Sequence, residues 1–146
     1  MARIEESIEI KRPVDKVFTY TTEAKNWPKW QSFIPEAEQT SPGPVNVGST
    51  FKGVSRMMGR SMKWTAIATE YESNKKWSKN ITCGSMEIGE HLAYNPIEGG
   101  TAFTIVYDVK VGGFLKLLSP VIAGSVRKET KKSLGNLKSI LEAQTQ

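Results

Sequence analysis

The chain has 146 residues, 38% of them hydrophobic and 24% charged, with a net charge of +5, the profile of one ordinary globular domain with a real core. Its most apolar run, Phe114 to Val126, is interrupted by Lys116, Pro120 and Gly124, which argues against a membrane span. The single cysteine, Cys83, excludes an internal disulfide, and the modest basic excess permits acidic partners without requiring them.

The N-terminal segment passes directly into Ile4-Glu5-Glu6-Ser7-Ile8 with no charged-then-apolar leader, so a reducing, cytoplasmic setting is expected. Arg3 to Lys11 alternates like a strand with one wet face. Pro13 or Val14 then opens a short helix, with Asp15 in its first turn and Val14, Val17, Phe18 and Thr21 on its buried face. Asn26-Trp27-Pro28-Lys29-Trp30 starts a second short helix that Pro35 stops. Its two tryptophans, with Phe33 and Ile34, form the densest aromatic patch of the chain; they plug one end of a core or contribute a pocket wall.

After the loop Thr40-Ser41-Pro42-Gly43-Pro44 come strand signals in succession: Thr50 to Met58, Ser61 to Tyr71, Trp77 to Cys83, Glu87 to Tyr94 and Thr101 to Val111. In the second of these Met62, Trp64, Ala66 and Ala68 share a face. In the last, Phe103, Ile105, Tyr107, Val109 and Val111 do. Short turns between consecutive strands predict an antiparallel meander.

The final element is a long helix over Gly112 to Glu142. Leu115, Leu118, Ile122 and Val126 recur at helical spacing, and Leu134, Leu137 and Leu141 resume the stripe. Between them the same face holds only Thr130 and Ser133. Small residues in the middle of a packed stripe leave room, so a cavity beneath this helix is expected. A helix that follows such a run of strands must lie across one face of the sheet. The fold class expected is α+β, a single domain over residues 1–146: a curved antiparallel sheet, two short helices, and one long C-terminal helix that closes a hydrophobic cavity.

The order and several segments resemble the helix-grip fold of the START-like (SRPBCC) superfamily, and its polyketide cyclase/dehydratase-like branch most of all. The resemblance rests on Ile8-Glu9-Ile10 to Pro13-Val14-Asp15-Lys16-Val17-Phe18, Asn26-Trp27-Pro28-Lys29-Trp30, Met62-Lys63-Trp64-Thr65-Ala66 with Thr69-Glu70-Tyr71, Gly99-Gly100-Thr101, and Leu134 to Glu142. It covers nearly the whole chain. It implies binding of lipids, sterols, polyketides or other hydrophobic molecules between sheet and last helix, and it carries no shared catalytic motif.

The residues expected to line the cavity are Met62 and Trp64, with Met57 as an adaptable wall. Phe103, Ile105 and Tyr107 join them from the last strand, and Ile122, Val126 and Thr130 from the helix. For proton transfer the candidates are Glu90, Tyr94 and Tyr107. Alternation carries Glu90 inward with Leu92 and Tyr94 and turns Glu87 and His91 outward. An acid in an apolar cavity suits either general acid–base chemistry or recognition of a ligand hydroxyl; the alternative is pairing with Arg56 or Arg60. No metal site is expected, since His91 and Cys83 are single and apart. No cofactor is expected either, in the absence of a Walker loop or dinucleotide fingerprint.

The expected function is binding or transport of a small hydrophobic or amphipathic ligand. The first alternative is a cyclase- or dehydratase-type enzyme. The second is a nucleic-acid-binding sheet, which the inward-facing aromatics disfavour, so no nucleic-acid partner is expected. Arg127, Lys128, Lys131, Lys132 and Lys138 give the last helix a basic outer face, read as solvated and compatible with transient contact with a membrane surface.

Overall fold

A computed structural model of the chain describes residues 2–57, 59–110 and 119–144; the side chains of Ala2, Met57, Lys110, Ser119 and residues 121–123 are also outside the described set. Strand β1 (Ala2–Ile10) leads into helix α1 (Val14–Thr22), a 3-10 turn (Ala24–Asn26) and the short helix α2 (Trp27–Trp30). Six strands follow: β2 (Glu36–Gln39), β3 (Thr50–Met57), β4 (Arg60–Glu72), β5 (Lys76–Cys83), β6 (Met86–Ile97) and β7 (Gly100–Lys110). Helix α3 (Ser119–Ala143) completes the order. The seven strands form one antiparallel sheet in the order β1-β7-β6-β5-β4-β3-β2.

Pairing register decides which side chains share the inner face. Ile4 lies opposite Tyr107, which lies opposite Glu90, which lies opposite Lys79, which lies opposite Ala68. One row away run Leu92, Ile105 and Trp77. Every second residue of β7, from Thr101 to Val109, is buried, as its regular alternation predicts. Burial of a side chain such as Phe103 or Ile105 stabilises the fold by about 1.5–3 kcal/mol. A bulge in β4 between Ala68 and Glu70 resets this alternation, leaving Ala68 inside and turning Glu70 to the outer face.

Helix α1 packs through Phe18, whose ring meets Tyr94 edge-on at 4.9 Å. Trp27 of α2 stacks near Phe51, Trp77 and Trp64 at 5.2, 6.1 and 6.3 Å between ring centres. Helix α3 lies over β1 and touches α2, burying Leu134, Leu137 and Leu141. Gly53 has a specific reason to be glycine: a Cβ there would overlap the Glu36 carbonyl oxygen and the Trp64 ring.

One strand falls where the sequence carries no strand signal: Glu36–Gln39 lies at the edge of the sheet, although none of its residues is β-branched or aromatic. β6 runs through Asn95-Pro96 to Ile97, where a turn was expected; Pro96 faces Thr101 across the ladder, and the turn falls at Glu98-Gly99, with Gly99 at φ 80°. The expected start of the last helix at Gly112 falls outside the described residues. No described helix is long and apolar enough to cross a membrane.

Candidate ligand site

The inner face is lined mostly by aliphatic and aromatic residues, and a charged pair stands in its middle. Lys79 on β5 and Glu90 on β6 are paired across the ladder, only 5% and 3% exposed. Lys79 Nζ lies 2.7 Å from Glu90 Oε1, yet that oxygen receives no well-directed hydrogen bond from any described residue. The contact is a close ion pair without an aligned bond. The same ammonium sits 3.7 Å from the centre of the Trp27 ring, with Trp77 at 4.8 Å and Phe51 at 5.9 Å. Aromatic faces carry negative charge density, so this cage stabilises a cation that water no longer reaches. Replacing such a pair by well-packed apolar residues is often neutral or stabilising, so its presence in a core calls for another explanation.

Tyr107 stands opposite Glu90 on β7. Burial pushes its phenol well above the usual tyrosine range, and the neighbouring Glu90 carboxylate adds to the shift. The phenol therefore holds its proton at any physiological pH. The indole N–H of Trp64 is buried and also has no partner among the described residues, although its ring packs beside Trp27. Cover over this face thins towards the β3–β4 and β5–β6 turns. Ile81 and Ile88 are half-buried, and Met62, with its Cε against Gly84, is 38% exposed. On the β1 side, Glu6 shares the inner face and Arg127 of α3 approaches it at 3.8 Å.

The other expected residues divide as follows. Trp64, Phe103, Ile105 and Tyr107 are buried on the inner face. Val126 is half-buried and Thr130 fully buried on α3, where the Thr130 hydroxyl donates to the Val126 carbonyl at 2.6 Å. Trp30 packs edge-on to Phe103 at 6.2 Å, and its carbonyl accepts from Asn136 of α3, so this tryptophan belongs to the closed end of the core. The side chains of Met57 and Ile122 lie outside the described residues.

Glu90 is partnered by Lys79 rather than by Arg56 or Arg60. Tyr94 is occupied elsewhere: its hydroxyl accepts from the Trp77 indole at 3.2 Å and lies 2.6 Å from Thr21 Oγ1. Thr21 already donates to the Val17 carbonyl at 2.8 Å, so Tyr94 gives its own proton to Thr21. Burial pushes this phenol up as well. Lys79 was absent from the sequence-derived candidates, although alternation from Trp77 to Ile81 places it inward.

A family model described as polyketide cyclase / dehydrase and lipid transport matches residues 1–142. The chain belongs to this family. Its fold is the START-like helix grip. Protein TTHA0849 of Thermus thermophilus is similar to it with a TM-score of 0.85 at 13% identity, covering 99% of this chain and 100% of that one. A START superfamily protein of Mycobacterium smegmatis superposes with a TM-score of 0.81 at 12% identity, over 98% and 99% of the two chains. CV1439 of Chromobacterium violaceum gives 0.75 at 12%, over 96% of each. No curated protein matches the sequence.

Two features of this family member lie away from the inner face. On the outer face a polar ladder crosses four strands. Lys76 pairs with Glu70 at 3.2 Å, Ser78 donates to Glu70 at 3.1 Å and meets His91 Nδ1 at 2.9 Å, and His91 Nε2 lies 3.4 Å from Asp108. The sole hydroxyl proton of Ser78 goes to Glu70, and the hydroxyl is buried mid-sheet. This serine–histidine–aspartate row therefore lacks an accessible nucleophile. Among the described residues no group of three His, Cys, Asp or Glu is placed to hold a metal ion. The second feature is an open groove of about 680 Å³ bordered by Phe18, Thr22, Ala37, Val45 and Tyr71. Two acids on its rim, Glu23 and Glu38, pair with the exposed Lys25 and Lys52. Its described lining holds no buried, unpartnered polar group, so the inner face is the stronger candidate.

Proposed function

We propose that the chain binds or carries a small amphipathic molecule between the inner face of the sheet and α3. Its apolar body would lie against Trp64, Ile105 and Val126, and its polar end would reach Lys79, Glu90 and Tyr107. The observation that carries this reading is the buried Lys79–Glu90 pair, whose Oε1 has no aligned partner in an otherwise aromatic interior. A polar group with unused hydrogen-bonding capacity is costly in a core, and a ligand group would remove that cost. We place the protein in the cytoplasm, in keeping with a buried free thiol at Cys83. The aromatic rings of the described strands face inwards, which leaves a base-stacking role without a surface.

The second reading, a cyclase- or dehydratase-type enzyme, is favoured by the family's description and by Glu90 with Tyr107 as an adjacent proton-holding group. Native mass spectrometry of the purified protein should retain a small hydrophobic molecule, and a hydrophobic fluorescent probe should be displaced by it. With that molecule in hand, Glu90→Gln separates the readings. A carrier keeps its affinity within about 1–2 kcal/mol, whereas an enzyme loses on the order of 10²–10⁴ in turnover. Absence of both a retained molecule and probe binding would sink the proposal.

A further inference from the structure

We infer that the ligand's polar end is electrically neutral and carries a hydroxyl-type donor, with an acceptor oxygen beside it, rather than a carboxylate or an amine. This inference rests on the binding function proposed above and concerns the same site. Two charged pairs lie on or against the described inner face, the buried Lys79 with Glu90 and, at the β1 edge, Glu6 with the half-exposed Arg127 of α3, and each sums to zero. An ionised ligand head placed beside Lys79 and Glu90 would meet one attractive and one repulsive charge at almost the same distance. Its lost hydration would go largely uncompensated. The unused hydrogen-bonding capacity points to the complement. Glu90 Oε1 is a buried acceptor with no aligned donor, which suits a ligand O–H. Lys79 has three N–H groups: Glu90 lies against one side of the ammonium and the Trp27 ring covers another. An N–H therefore remains for a ligand carbonyl or ether oxygen, and the unpartnered Trp64 indole N–H is a second donor on the same face.

The test uses the full chain at pH 7.4 with three probes of one chain length: 1-decanol, decanoate and decylamine. Dissociation constants are read from tryptophan fluorescence. In the wild-type protein decanol should bind most tightly. A greasy cavity remote from the pair would share that preference, so the variants decide. Glu90→Gln leaves the site with the charge of Lys79 and should move the decanoate-to-decanol affinity ratio towards decanoate by about tenfold or more. Lys79→Met leaves the charge of Glu90 and should move the decylamine ratio likewise. The double variant Lys79→Met with Glu90→Gln is neutral again and should return both ratios to the wild-type order. Circular dichroism checks each fold; should one single variant not fold, the other and the double variant carry the test. Ratios unmoved by the substitutions, or a wild-type preference for an ionised probe, would overturn the inference while leaving the binding function standing. Failure of all three probes to bind would overturn both.

Discussion

An ammonium group enclosed by three aromatic rings is held by charge and by ring quadrupoles, not by the hydrophobic effect. In this chain Glu90 supplies the charge and Trp27 the nearest ring. The charge can be probed by removing the pair in two steps. Glu90→Leu should destabilise the fold by about 3–5 kcal/mol, because it strands a buried cation. Adding Lys79→Met should recover most of that loss, since an apolar pair fits an apolar neighbourhood. Urea denaturation of the three proteins measures both steps. Equal losses in the single and double variants would show that the stranded cation is not the source of the loss. The same residues mark a limit of sequence reading. The inward orientation of Glu90 follows from strand period, but a lysine at an inward position is indistinguishable from a lysine at a strand edge until its partner across the ladder is known.

At the level of elements, α3 is tied to the start of the sheet by a polar clamp as well as by its leucines. Lys138 Nζ donates to the Glu9 carbonyl at 2.7 Å and pairs with Glu142 at 2.7 Å; Glu142 also accepts from the Lys11 backbone N–H at 2.9 Å. The hydrogen bonds from Lys138 and Lys11 hold the Glu142 carboxyl below the usual glutamate range. A carboxyl whose pKa is lower in the folded state stabilises the fold above its unfolded value, about 4.3, and that contribution is lost as pH falls through the folded value. The melting temperature of the wild-type protein should therefore fall more steeply below about pH 4.3 than that of Glu142→Gln. Parallel curves would show that the clamp contributes nothing. The stripe Leu134, Leu137, Leu141, the alternation of β7 and that of β4 as far as its bulge at Ala68 were legible in the sequence because one periodicity runs through each. β2 was not, since Glu36-Ala37-Glu38-Gln39 is held by ladder bonds to β3 rather than by side chains that prefer strands. The run of β6 past Tyr94 was not legible either, because Thr101, the partner of Pro96, becomes visible only once β6 and β7 are paired.

For the molecule as a whole, the position of β1 governs when the domain can close. Its ladder partner is β7 and its cover is α3, and the bond from Lys11 to Glu142 spans 131 residues of chain. Contacts this remote in sequence are late and slow to form. A ribosome adding 5–20 residues per second needs on the order of ten seconds to make that stretch. During this time Ala2–Ile10 has emerged and nothing it pairs with exists. Its backbone is then unpaired and its apolar positions Ile4, Ile8 and Ile10 face solvent, the kind of segment that chaperones engage. Nascent chains arrested before Gly100 should be cut by protease within β1, and chains released after Ala143 should resist. Protection of β1 in the arrested chains would mean that an earlier element shelters it. The protein's vulnerability to misassembly during synthesis thus lies at its first strand, the segment that the finished fold buries between its last strand and its last helix.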